Sequence, residues 1–161
     1  MKKNLFQKKM ATSKWINRLY KELETVNGDT EFVQQVKTEE DNIRKWEISY
    51  NDAVLPSYLK HLTVYVEFPA NYPFQPPKIR IPAVFNPNVY PNGSLCMSLL
   101  DDSTNRLPGA LSSIYECWRP CLSIASVLRG ILLVLEHPNT DSPANLDATK
   151  MYKKYECLYC I

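Results

Sequence analysis

Glycine is scarce in this chain, with four residues in 161 against twelve prolines. No Gly-rich phosphate loop is present, and no window is dominated by Gly, Ser or Gln, which excludes phosphate cradles of that type, flexible linkers and low-complexity segments. Histidine is scarcer still: His61 and His137 are the two present, and neither stands in a motif that would give a thiol protease its base. The longest apolar run, residues 131–135, is far short of the roughly 20 residues needed to cross a bilayer, so no membrane span is expected. Acidic residues are missing from positions 1–21, which carry Lys2, Lys3, Lys8, Lys9, Lys14, Arg18 and Lys21; the net charge is +2, yet the other residues hold twelve basic against seventeen acidic side chains. A basic end on an otherwise acidic chain reads as an electrostatic docking surface for an acidic protein partner, or as a solvated helix face. No nucleic-acid partner is expected from it.

Five cysteines, Cys96, Cys117, Cys121, Cys157 and Cys160, make an odd set with no secretory signal ahead of them. They read as free thiols in a reducing compartment, cytoplasmic or nuclear. The pairs Cys117/Cys121 and Cys157/Cys160 are spaced too loosely for a convincing zinc site, so no metal is expected. Leu158 stands where a prenylated cysteine would be required, so no lipid anchor of that kind is expected.

What the chain does have is proline. Eight of the twelve fall between Pro56 and Pro91; each fixes its own φ, removes a backbone donor and pushes the preceding residue toward extended geometry. Residues 68–98 therefore form a stiff, non-helical platform, and Cys96 sits near its end. The length and composition suit one globular domain over 1–161, with a basic extension over 1–10. Periodicity predicts an amphipathic helix over 12–26 capped by Thr12 or Ser13, then strands over 31–37, 43–50 and 61–68 in an antiparallel meander, and a short fourth strand over 78–81. Residues 101–117 form a connection too long to be a routine turn. A buried helix follows, capped by Ser123, with Ile124, Val127, Leu128, Ile131, Leu132 and Leu135 on one face. Ser142 and Pro143 are placed as N-cap and first residue of a last helix. The fold class is α+β.

The thiol's chemistry is narrowed by elimination. A phosphatase loop needs Arg at the sixth position after the cysteine, where Asp102 stands. With no partnered histidine and no paired metal carboxylates, the remaining chemistry is exchange of an acyl group that arrives already activated and has only to be positioned. A buried structural cysteine is the alternative.

The boxes Tyr72-Pro73-Phe74-x-Pro76-Pro77, Asn86-Pro87-Asn88 and Asn92-Gly93, then Cys96, Trp118-x-Pro120 and Pro138-Asn139, together resemble the core of the ubiquitin-conjugating enzymes. The insertion after Cys96 and the stretch 138–148 are similar to that family's long-loop branch, the cell-division-cycle type. The resemblance implies a ubiquitin-conjugating fold with an N-terminal helix, a four-stranded antiparallel meander, a central buried helix and a C-terminal helix. It implies that Cys96 carries ubiquitin as a thioester received from an activating enzyme, that a ligase assists transfer to a lysine, and that the chain works as a monomer without a cofactor, ATP being used upstream. It implies that Asn88 either donates its amide to the oxyanion or braces the active-site loop. Ser98, Asn139, Asp141, Ser142, Asp101 and Asp102 are implied as support around the thiol. Lys14, Arg18 and Lys21 are expected to meet the activating enzyme, and Leu62, Pro120 and Cys121 the ligase. Two departures from the family pattern stand out: Asn86 in place of its usual histidine, and 55–60 in place of a glycine-containing turn. A catalytically silent binding module of the same fold is the second reading.

Overall fold

The computed structural model describes residues 14–39, 42–82, 84–101 and 117–159, with backbone alone for Lys14 and 156–159. The basic extension, the expected caps Thr12 and Ser13, Asp102, most of the 101–117 segment and the side chains of Lys14, Cys157 and Cys160 lie outside the described residues.

Helix α1 (Lys14–Gly28) buries Leu19 and Val26 completely, with Trp15 and Leu23 packed beside them. Four strands follow, β1 (Val33–Glu39), β2 (Asn42–Tyr50), β3 (Thr63–Glu67) and β4 (Lys78–Arg80), in sheet order β1-β2-β3-β4. Every pairing is antiparallel, as a meander with short connections requires. The register sets Trp46 opposite Val66, Ile48 opposite Val64 and Val66 opposite Ile79. Alternation thus turns one face of the sheet into a continuous apolar surface, all of it buried.

Helix α2 (Ile124–Glu136) is capped by Ser123, whose side chain accepts from Ser126 N–H. Its six predicted core residues are all buried, each contributing about 1.5–3 kcal/mol relative to exposure, and the Tyr50 hydroxyl donates to the Leu128 carbonyl at 2.8 Å. Arg129 on the opposite face pairs with Asp29 at 2.5 Å and lies over the Phe32 ring, tying α2 to the end of α1.

Three details depart from the sequence expectation. The last helix, α3 (Leu146–Tyr159), is capped by Asn145, whose side chain accepts from Ala148 N–H at 3.1 Å. Ser142 and Pro143 precede the helix, because Ala144 and Asn145 both donate their N–H groups to the Pro87 carbonyl, at 2.8 and 3.0 Å, and this anchor keeps the chain out of the helix until position 145. The segment 55–60 forms a 3₁₀ turn (Ser57–Leu59). It closes without glycine because His61 adopts a positive φ of 63° while Asp52 accepts from His61 N–H at 2.7 Å and meets the ring Nδ1 at 2.9 Å. Finally, Leu62, expected on the ligase-facing surface, is 4% exposed. It is bonded on both sides, to Leu59 O and from Tyr50 N–H, and is a core residue.

Candidate active site

The proline-rich stretch is held against the core by a chain of rings. Trp46, Phe68 and Tyr72 meet edge to face at 4.6 and 4.8 Å between centroids, Tyr72 lies 5.9 Å from Trp118, and Trp118 Nε1 donates to Pro73 O at 2.7 Å. The Tyr72 hydroxyl reaches Glu22 of α1 at 3.1 Å. Glu22 is 3% exposed and fully engaged: it also takes hydrogen bonds from Arg18 Nε at 2.9 Å and from Ile124 N–H at 3.0 Å. A carboxylate at the first amide of α2 complements the positive end of that helix. Arg18, expected as a charge for a partner, is therefore half-buried and committed inward, its other arm donating to Leu122 O at 3.0 Å.

Beyond the prolines the chain forms a small irregular ladder. Val89 bridges Leu95 in antiparallel fashion, and both are buried. Cys96 N–H donates to Asn88 O at 2.8 Å and Tyr90 N–H to Ser94 O at 2.9 Å. The reversal between these segments falls at Gly93, with φ 83°, where an added Cβ would lie 3.3 Å from Pro82 Cα. Both conformation and space there require glycine.

Asn86 and Asn88 pin this ladder to the rest of the protein. Asn86 accepts from Asn88 N–H at 2.9 Å and donates to Leu135 O near the end of α2 at 3.0 Å, so the asparagine standing in for the family's histidine is buried and satisfied on both sides. Asn88, 4% exposed, accepts from Asn139 N–H at 2.7 Å and donates to Asn139 O at 3.2 Å. Asn139 in turn accepts from Asp141 N–H at 3.0 Å. The 139–145 stretch is thereby clamped beside the half-buried Cys96, with Asp141 and Ser142 exposed along it. On the other side, Met97 packs onto Gly130 of α2, whose absent side chain leaves room for the Met97 methyl. Ser98 opens a 3₁₀ turn (Ser98–Leu100). Asp101 N–H donates to Ser98 O at 2.9 Å and Trp118 N–H to Asp101 O at 3.2 Å, so the two ends of the 101–117 segment meet close to the thiol.

Of the predicted residues, Cys96, Asn88 and Asn139 are joined directly, and Ser98 and Asp101 lie on the turn that follows the thiol. Lys21, Pro120 and Cys121 are exposed. Tyr90 and Phe74 were not singled out by the sequence. The Tyr90 phenol is held above its ordinary pKa, foremost by charge interaction and hydrogen bonding with the Cys96 side chain, then by burial and by Asp101. Its signal lay in the alternation that puts positions 90 and 96 on one side of the ladder. Phe74 is 75% exposed, and its neighbour Pro73 accepts the Trp118 bond, so it is tied to the loop carrying Pro120 and Cys121. An aromatic ring among prolines was the signal there.

Such a site offers a half-buried thiol on a pinned backbone, an arrangement that suits acyl transfer to an incoming nucleophile. A family model described as ubiquitin-conjugating enzyme matches residues 18–160. The chain is similar to "Ubiquitin-conjugating enzyme E2" of African swine fever virus (isolate Pig/Kenya/KEN-50/1950), 34% identical over 122 residues, which cover 74% of this chain and 53% of the viral protein. It is also similar to "Ubiquitin-conjugating enzyme E2-34 kDa" of Saccharomyces cerevisiae, 42% identical over 90 residues covering 55% of this chain and 30% of the yeast protein. With "Ubiquitin-conjugating enzyme E2 G2" of Homo sapiens it shares 39% identity over 89 residues, covering 55% and 53% of the two chains. The match thus spans about half the length of the viral and human relatives and less of the yeast one.

Proposed function

This chain belongs to the ubiquitin-conjugating enzyme family, and from that premise we propose that Cys96 accepts the C-terminal acyl group of ubiquitin from an activating enzyme and passes it to a lysine amine, with a ligase assisting. In the first step the Cys96 thiolate attacks the incoming thioester carbonyl and the activating enzyme's sulfur leaves. In the second a lysine amine attacks the Cys96 thioester, the C–N bond forms, the C–S bond breaks, and the surplus proton of the nitrogen goes to solvent or to a nearby carboxylate, Asp101 or Asp141.

The observation that carries this reading is the double clamp of Asn88, whose backbone carbonyl holds Cys96 and whose side chain holds Asn139. It ties the Cys96 backbone to the 139–145 loop through one residue, which supports reading this sulfur as the acyl carrier. Of the two roles expected for Asn88, bracing is supported in the resting enzyme by its two bonds to the Asn139 backbone, and the second N–H of its amide is a donor for the other role. The ligase surface in this reading is Phe74 with Pro120 and Cys121, and the exposed Lys21 supplies charge for the activating enzyme. Membership of the long-loop branch is supported by the 101–117 segment, whose ends converge beside Cys96. Deleting residues 103–113 is expected to leave charging intact and slow ubiquitin-to-ubiquitin transfer.

The primary test is incubation with activating enzyme, ubiquitin and ATP. A reducible band larger by one ubiquitin is expected, turned into a thiol-resistant ester by Cys96→Ser and abolished by Cys96→Ala. No band with the native chain would leave a silent binding module of the same fold.

A further inference from the structure

Tyr90 and Cys96 share one side of the ladder through which the thiol is presented. Val89 and Leu95 bridge across it with their side chains buried, and the flanking bonds Tyr90 N–H to Ser94 O and Cys96 N–H to Asn88 O continue the antiparallel pairing on both sides. In such a ladder alternate residues share a face and diagonal neighbours lie within reach of an aromatic side chain. Tyr90 is thus a diagonal neighbour of Cys96. Pro91, the reversal at Gly93 and the Ser94 bond to the Asn92 side chain at 2.9 Å stiffen the connection, so the approach does not depend on a mobile loop.

From this geometry we propose that the Tyr90 hydroxyl is a catalytic hydrogen-bond donor to the Cys96 sulfur as it leaves during transfer. The inference rests on the reading of Cys96 as the ubiquitin carrier and adds a residue to it. When the amine attacks the thioester, the carbonyl carbon forms its bond to nitrogen, the C–S bond breaks, and the electron pair of that bond goes to Cys96 Sγ. Tyr90 keeps its proton and shares it with the sulfur, offsetting the charge where it develops. The phenol is held above its ordinary value foremost by Cys96, in keeping with this proximity, and a phenol is protonated throughout the neutral range. Asp101, which raises Tyr90 as well, acts in the same direction.

The two steps of the reaction respond differently. During discharge the charge on sulfur appears in the transition state, so the donor lowers the barrier; during charging the thiolate is present from the start, and a bond to it favours the ground state at least as much. Tyr90→Phe keeps the ring, which is 45% exposed, and removes the donor alone. Single-turnover discharge of the purified Cys96 thioester to free lysine is expected to fall roughly tenfold, the size of one hydrogen bond to a charged acceptor, while single-turnover charging by activating enzyme keeps its rate. A variant that discharges as fast as the native chain, or that slows charging and discharge equally, overturns the assignment to Tyr90 while leaving Cys96 as the carrier. Failure of the native chain to charge at all overturns both.

Discussion

The side-chain amide of Asn88 makes both of its hydrogen bonds to the backbone of one residue, Asn139, accepting from its N–H and donating to its carbonyl. Two segments 51 positions apart in sequence are thus locked together next to the thiol. Asn88→Ala is expected to leave the part-buried N–H and carbonyl of Asn139 without this partner, at about 1–2 kcal/mol, seen as a lower denaturant midpoint. Asn88→Asp, which retains the acceptor and loses the donor, should fall between. An alanine variant as stable as the native chain would remove the bracing role and return the amide to the oxyanion.

Leu62 and Phe74 offer a contrast. Leu62→Ala, in the core, should lower stability by about 2–5 kcal/mol. Phe74→Ala, at an exposed site, should change it by no more than about 0.5 kcal/mol while weakening ligase-stimulated discharge several-fold. Equal ligase stimulation of native and Phe74→Ala proteins would move the ligase surface elsewhere.

Glu22 joins α1, the proline platform and the first turn of α2 through Arg18, Tyr72 and Ile124. Glu22→Gln removes the charge while preserving size. Because the Arg18 side chain is 34% exposed, the loss is set below that of a fully buried pair, at about 2 kcal/mol. Chemical denaturation measures it, and a difference under about 0.5 kcal/mol would class the cluster with ordinary surface ion pairs.

Alkaline stability follows from Tyr50 and Tyr72. Burial raises both phenols well above their ordinary value of 10.0, and for Tyr72 the neighbouring Glu22 adds to the rise. A group whose folded pKa is raised contributes stability that is complete below the unfolded value and declines as pH climbs past it. The unfolding free energy should therefore be insensitive to these residues below about pH 9 and fall progressively above pH 10. Tyr50→Phe should flatten that alkaline decline, although the variant loses the bond to Leu128 O and starts less stable. An unchanged alkaline slope would show that Tyr50 does not contribute.

Much of the fold was legible because its signals are local. The alternation in β3, the apolar stripe of α2 and the Ser123 cap each depend on residues within a few positions of one another, and each was found where periodicity put it. The proline platform and the spacing from Asn88 to Cys96 likewise led to the thiol. The misreadings have long-range causes. Ser142 and Pro143 carry sound cap chemistry, yet the Pro87 carbonyl, far away in sequence, holds 144 and 145 and passes the cap to Asn145. Leu62 stands just before β3, where the local pattern is equally consistent with surface or core, and packing against the core, with its backbone paired to Leu59 and Tyr50, buries it.

The sequence by itself therefore determined the α+β class, the element order and the family resemblance, and singled out Cys96 as the candidate thiol, because backbone restriction by proline and side-chain periodicity act within a few residues. Tertiary structure alone decided the Asn88 clamp, the inward commitment of Arg18 to Glu22 and the exposure of Phe74. Each of these depends on which distant groups pack together. Glu22 meets Ile124 across 102 positions, and a buried polar group must find its partner wherever the fold brings one, a condition that no local pattern encodes.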